Sequence, residues 1–201
     1  LTWEELRALP LHDASSYQDT GYIASLEELI RFCQADESGM GLLIELKPEA
    51  GQGETLARAI LEVVEAHDFG ERAIFMSLDY PCLTTIHEAH PEWWVGYCAY
   101  ASAGDLDETI WQYDIDFLAV EESLVSNRLV AQARELGLPV YVWTVYDTDK
   151  MKQYLQMGVT GLISDWPDLA AGVVEEYNAS HGTGRYLWQG EGLPAGETAA
   201  A

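Results

Sequence analysis

From residue 41 onward, short runs of β-branched, aliphatic and aromatic residues alternate with stretches whose apolar positions recur every three or four residues. A strand buried on both faces reads as an unbroken apolar run, and a helix packed on a sheet reads as a one-sided stripe. The alternation therefore predicts repeated βα units around a parallel sheet. Six strands are predicted, over 41–47 (GLLIELK), 73–78 (AIFMSL), 94–99 (WVGYCA), 117–120 (FLAV), 139–145 (PVYVWTV) and 161–164 (GLIS). Helices are predicted between them over 53–67, 80–90, about 106–113, 124–136 and 148–157, the first carrying Leu56, Ile60, Leu61, Val63 and Val64 at helical spacing. Gly137 and Gly158 stand where helices close, because glycine adopts the left-handed backbone of a helix C-terminus without strain.

Before residue 41, LTWEELRAL and SLEELIRFCQ read as two amphipathic helices joined by a polar loop. Thr2 and Ser25 are the expected N-caps, and Glu28, three residues after Ser25, completes a capping box, which makes it a structural residue. After residue 170 the periodic pattern fades into a helix end and a tail closing in AGETAAA, expected to be disordered. The chain thus divides into a βα domain over 1–170 and a C-terminal segment over 171–201.

Six parallel strands suit either an open doubly wound sheet or most of an eight-stranded barrel. Glu45, Lys47, Ser77, Tyr97, Glu121, Thr144 and Asp165 all fall near the C-terminal end of a strand or just beyond it. A β/α barrel places its chemistry on that face, whereas an open sheet gathers ligand contacts at one switch point, often behind a glycine-rich first turn. No GxGxxG or Walker loop is present, so the barrel is favoured.

Composition narrows the partners. Ten Lys and Arg against 34 Asp and Glu give a formal charge of −24, which opposes nucleic acid and anionic membrane surfaces. An anionic substrate would need local cations or a metal to offset that field. With 48% hydrophobic residues the chain has enough apolar content for one sizeable core, and no apolar run reaches the length of a membrane-spanning helix. Cys33, Cys82 and Cys98 are odd in number and show no CxxC spacing, so they are expected as buried thiols.

In ELK, strand alternation turns Glu45 and Lys47 to one face and Leu46 to the other. A carboxylate with an ammonium at a barrel mouth can hold a hard cation and neutralise a phosphate oxygen, and it is also what a salt-bridged strand end looks like. Trp143 is either core or an apolar wall for a substrate. Asp165 either bonds its own loop, caps the next helix, or joins the site. His67, His87 and His90 fall in or after helices, at the wrong end for barrel chemistry, and His181 falls in the tail. His12 with Asp13 lies in the loop between the first two helices, away from any strand end.

The segments LTWEELRAL, IASLEELI, LLIELKPE, FMSLDYPCL, VYVWTVYDTDKM and GVTGLISDWPD occur in this order between residue 1 and about 169. With them the chain resembles the glycerophosphodiester phosphodiesterases, most closely the Gram-positive type whose catalytic domain follows a membrane-spanning region. The resemblance implies an α/β fold, an incomplete (β/α)8 TIM barrel whose six strands are barrel strands three to eight, the first two being absent. It makes Glu45 a metal-binding glutamate, Lys47 the active-site lysine and Trp143 the aromatic that lines the substrate site. Ser77, Tyr97 and Glu121 occupy strand ends at which the family binds substrate. The implied cofactor is a divalent metal, Ca2+ or Mg2+, and the implied reaction hydrolyses a small-molecule glycerophosphodiester to an alcohol and sn-glycerol 3-phosphate. The family's HRG, ExD and HD segments, which carry its histidines and its other metal carboxylates, precede the LTWEEL-like helix and are not in this sequence. This implies an N-terminally truncated piece, inactive or nearly so alone. It also implies membrane attachment through the preceding region, with an outward-facing location favoured over the cytoplasm.

Two other readings fit the residues. A lysine-dependent aldolase would use Lys47 as a Schiff base, although Glu45 beside it would raise the lysine's pKa and work against nucleophilicity. A non-catalytic barrel serving as a binding module would retain Glu45 and Lys47 as remnants.

Overall fold

The computed structural model of the chain describes residues 1–12, 19–100 and 114–181. Two short helices open it, α1 (Trp3–Arg7) and α2 (Leu26–Ala35). Each starts on a capping box, Thr2 with Glu5 and Ser25 with Glu28, so two otherwise orphaned amides are satisfied at each start. Glu28 also receives two hydrogen bonds of 2.7 Å from the Arg7 guanidinium, which ties α1 to α2. In place of a featureless loop, the segment between them contains an antiparallel ribbon of β1 (Leu11–His12) and β2 (Asp19–Gly21).

The six predicted strands are all present, as β3 (Leu42–Leu46), β4 (Ala73–Ser77), β5 (Trp94–Ala99), β6 (Phe117–Glu121), β7 (Val140–Trp143) and β8 (Gly161–Leu162). They pair in parallel in the unbroken order β3-β4-β5-β6-β7-β8. A doubly wound sheet would reverse its order part-way, so this is an arc of a β/α barrel with β3 and β8 at its two edges. The connecting helices are α3 (Gly53–Ala66), α4 (Tyr80–Ala89), α5 (Asn127–Glu135) and α6 (Thr148–Met157). Gly158 closes α6 at a φ of 91°, the left-handed cap its position predicts. The predicted helical stretch at 106–113 and the predicted disordered tail beyond 181 lie outside the described residues. The final helix, α7 (Pro167–His181), is longer than the fading pattern suggests, and it places His181 in its last turn instead of in a tail. Among the described residues, no helix is long and apolar enough to cross a membrane.

Strand alternation sends side chains to two separate cores. Toward the helices point Phe75, Val95, Leu118, Val120, Val140 and Val142, packed with residues such as Leu61, Leu83, Ile86 and Met151. Into the arc point Met76, Cys98, Phe117 and Ala119, flanked by Leu43, Ile74, Trp94, Tyr141, Trp143 and Ile163. Phe117 packs edge-on to Tyr141 at 5.0 Å and against Trp94 at 6.4 Å, so aromatic rings fill much of the interior. Gly96 makes room for them, since a Cβ there would lie 2.1 Å from the Phe117 ring. Cys33, Cys82 and Cys98 are free, buried thiols, as their spacing indicates.

Candidate active site

Glu45 is the penultimate residue of β3 and shares the parity of Leu43, so its carboxylate belongs to the interior face of the arc. Lys47 follows two residues on, and its Nζ lies 3.0 Å from Glu45 Oε2. The Lys47 side chain is 75% exposed and that of Glu45 31%, so the pair sits at the open C-terminal mouth. In β5, Cys98 faces the same space. Burial first, then the negative field of Glu45, pushes its thiol up to about 12, while Lys47 pulls the other way. Cys98 is therefore an inert, neutral neighbour of the pair.

Glu121 ends β6 and stands in register with Trp143 at the end of β7. Both share the parity of interior residues, Phe117 and Ala119 in one strand and Tyr141 in the other. Glu121 Oε2 accepts hydrogen bonds from the Ser123 amide at 3.0 Å and from the Ser123 hydroxyl, which fixes the carboxylate. Tyr100, just past β5, stacks on Trp143 with centroids 6.0 Å apart and planes 25° apart. The indole Nε1 of Trp143 is buried, with no hydrogen-bond partner among the described residues. Beyond the strand ends, Lys150 Nζ meets Glu122 at 2.9 Å. Tyr146 donates its hydroxyl proton to Asp165 at 3.2 Å, so Asp165 bonds between neighbouring strand-end loops.

Strand parity turns two of the expected substrate contacts away from the interior of the arc. Ser77 shares the parity of Phe75 and points toward the helices; it is fully buried. Its hydroxyl donates to Leu46 O at 2.8 Å and accepts from the Asp79 amide at 2.9 Å. Ser77 thus ties β3 to the turn into α4 and has no capacity aimed at a ligand. Tyr97 shares the parity of Val95, and it stacks on Tyr80 of α4 at 4.5 Å, which anchors the helix layer. Cys98, which the sequence reading did not select, takes the interior position near the end of that strand, and Tyr100 follows just past it. The helix-end histidines fall as expected. His67 and His90 cap the C-terminal ends of α3 and α4, at the opposite end of the arc from Glu45, and His12 lies in the ribbon outside the sheet. Asp13 lies outside the described residues.

The resemblance implied a divalent metal with Glu45 among its ligands. Among the described residues, no group of three or more His, Cys, Asp or Glu could hold a metal ion. Hard cations take six to eight oxygen ligands, so the described residues alone do not make such a site.

The profile of the glycerophosphoryl diester phosphodiesterase family matches residues 1–169. The glycerophosphodiester phosphodiesterase GDPD4 of Arabidopsis thaliana is 27% identical over 123 residues, which is 60% of this chain and 37% of that protein. The chain therefore spans little more than a third of this curated relative. A glycerophosphodiester phosphodiesterase from Parabacteroides distasonis is similar in structure, with a TM-score of 0.74 at 20% identity over 88% of this chain and 71% of that one. An Oleispira antarctica phosphodiesterase, solved with the product sn-glycerol-3-phosphate, gives a TM-score of 0.69 at 26% identity over 77% of this chain and 62% of that one. With six consecutive parallel strands, an acidic and basic pair at the first strand end and a profile match over residues 1–169, the chain belongs to the glycerophosphoryl diester phosphodiesterase family.

Proposed function

We propose that this chain is part of a phosphodiesterase that hydrolyses glycerophosphodiesters to an alcohol and sn-glycerol 3-phosphate, and that it supplies the face carrying Glu45, Lys47, Glu121 and Trp143. The observation that carries this reading is the placement of Glu45 and Lys47, 3.0 Å apart and solvent-facing, at the C-terminal mouth of the arc. The family match and the product-bound Oleispira antarctica relative support it.

In this reaction water attacks phosphorus, the bond from phosphorus to the alcohol oxygen breaks, and that oxygen takes up a proton. Lys47 stabilises the negative charge gathering on the non-bridging phosphoryl oxygens, an electrostatic role that needs only a fixed ammonium. Glu45 holds Lys47 in place and offers one carboxylate to a metal site whose remaining ligands come from outside the described residues. Trp143 gives the alcohol portion an apolar wall. Among the described residues, no histidine stands at a strand end of the sheet to move protons. The 201-residue chain alone is accordingly expected to show no turnover, or nearly none. Attachment of the longer protein to a membrane through an N-terminal region, facing outward, belongs to the same proposal and rests on sequence likeness only.

The test is release of sn-glycerol 3-phosphate by the longer protein, with and without Lys47→Met. Loss of one preorganised charge lowers kcat by about 10² to 10³-fold. If Lys47→Met leaves kcat unchanged, the pair is a structural salt bridge. The alternative reading is a non-catalytic barrel acting as a binding module. It prevails if the longer protein binds glycerophosphodiesters without hydrolysing them. Steady turnover by the 201-residue chain would refute the division of labour proposed here.

A further inference from the structure

We infer, resting on the reading of Lys47 in the previous section, that Ser77 is a positioning residue: its buried hydroxyl holds the peptide joining Leu46 to Lys47 and thereby sets where the ammonium stands. Lys47 is the first residue past β3, so the register that pairs Leu46 with Ser77 no longer holds it. Its side chain is 75% exposed, and a long exposed lysine has many rotamers. The direction in which that side chain leaves the backbone therefore has to be fixed by the backbone itself. Glu45, 3.0 Å from Nζ, sets the spacing of the two charges but rides on the same strand, so it does not fix where the pair stands.

Two features fix that backbone, one on each side of Lys47. On the N-terminal side, Ser77 Oγ donates to Leu46 O at 2.8 Å, and this carbonyl belongs to the peptide whose amide is that of Lys47. The same oxygen accepts from the Asp79 amide at 2.9 Å, so its single proton is left for Leu46. Asp79 in turn accepts from the Cys82 amide at 3.2 Å and caps α4, which anchors the hydroxyl to the start of a helix. Ser77 is fully buried and Leu46 is 1% exposed, so water does not compete for these bonds. On the C-terminal side, the ring of Pro48 disfavours the helical region for Lys47 and keeps it extended. Ser77 and Pro48 together clamp one residue, and that residue carries the positive charge of the site.

The experiment is a double-mutant cycle of Ser77→Ala and Lys47→Met on hydrolysis of a glycerophosphodiester by the longer protein, at a temperature at which every variant is folded. Misplacing a charge by about 1 Å costs up to about 10²-fold, so Ser77→Ala should lower kcat by about tenfold or more while KM changes less. In the Lys47→Met background the same change should add no further loss, because the group it positions is gone. Asp79→Ala removes the cap of the same turn and leaves the Leu46 bond in place, so it should keep kcat at the parent's value. If Ser77→Ala does not fold, Ser77→Cys, which keeps a weak donor, takes its place with a smaller loss in the same pattern. An unchanged kcat, an equal loss in Asp79→Ala, or a full further loss in the Lys47→Met background would overturn the inference. A second readout needs no turnover: the NMR order parameter of the Lys47 amide, about 0.85 in rigid backbone, should drop in Ser77→Ala and hold in Asp79→Ala. If the longer protein does not hydrolyse the diester, the phosphodiesterase reading fails and the order parameter still decides this one. A drop confined to Ser77→Ala supports the clamp, and a value equal to the parent's sinks it.

Discussion

Ser77 does its work with a single hydroxyl that donates to one neighbour and accepts from another without touching water. Ser77→Ala would leave the Leu46 carbonyl and the Asp79 amide short of a partner, and an unmet buried group costs about 1–3 kcal/mol. A urea titration should show a lowered midpoint with an unchanged slope. An unchanged midpoint would mean that other groups satisfy both atoms. His90 carries a pH prediction. Its ring stacks on Trp93 at 3.7 Å, with Nε2 at 2.9 Å from Glu65 and Nδ1 at 3.0 Å from Glu92. Burial works against the imidazolium, but the hydrogen bonds to Glu65 and Glu92 outweigh it and hold the pKa above the ordinary 6.5. A raised folded-state pKa means the stabilisation is full below pH 6.5 and is lost as pH rises through the folded-state value. Unfolding midpoints of His90→Gln, measured between about pH 5.5 and 8.5, should approach those of the parent at the alkaline end and fall below them at the acidic end. A constant gap would assign the effect to packing. At this scale the sequence was legible where a charge marked a face. In LLIELK the glutamate and lysine declare which parity opens to solvent. In AIFMS and WVGYCA both faces are apolar, because each strand is buried on two sides, so period two vanishes and Ser77 and Tyr97 could be placed at strand ends but not on a face.

Elements show the complementary pattern. Among the described residues, strand and helix boundaries agree with the apolar runs to within a few residues, and the Thr2 and Ser25 caps and the Ser25–Glu28 box form, because these signals are local and chemical. The ribbon of β1 and β2 was not legible, since two- and three-residue strands carry no alternation to read. The extent of α7 was hidden for a similar reason: Ala170, Ala171 and Gly172 dilute its stripe, and only Ala170 and Val173 are buried. How β5 meets β6 depends on Gly96, whose missing side chain is filled by the Phe117 ring. Gly96→Ala would force that ring, and with it Tyr141 and Trp94, off its packing. Overpacking of this kind costs about 1–3 kcal/mol, visible as a lowered thermal midpoint. A neutral result would mean that the aromatic row can slide, and Gly96→Ala with Phe117→Leu, which frees space, should recover the loss. The attachment of α1 depends on Arg7, which bonds Glu28 and lies over the Trp3 and Tyr22 rings at 5.8 and 4.5 Å. Arg7→Ala should expose the region before α2 to limited proteolysis while the sheet stays protected. Equal cleavage rates would show that α1 is held by something else.

For the whole molecule, the decisive feature is that the sheet has ends. A closed barrel has no edge strand, but here β3 and β8 each have one neighbour in the sheet among the described residues. The segment leading into β3 leaves apolar side chains in the open: Met40 is 47% exposed, and in α2 Phe32 is 66% and Leu29 44% exposed, although Ile30 and Cys33 on the same helix are buried. At about 100° per residue Leu29 and Phe32 continue the stripe that buries Ile30 and Cys33, so the apolar face of α2 is wider than its own contacts cover. Left as it is, the chain should therefore associate through this edge. Its charge of −24 opposes that association, and the two effects separate with salt. Repulsion between exposed charges weakens as the Debye length shrinks, from about 10 Å at 0.1 M to about 3 Å at 1 M, whereas apolar contact and strand pairing do not. Sedimentation velocity of the 201-residue chain should thus show more association at high salt than at low, the reverse of a charge-driven complex. Replacing both Leu29 and Phe32 by lysine should suppress it without lowering the thermal midpoint, because both side chains already face solvent. A chain that stays monomeric at high salt would mean that the β3 edge and the α2 face are protected within the fold itself, and the reading of an arc awaiting closure would lose its physical support.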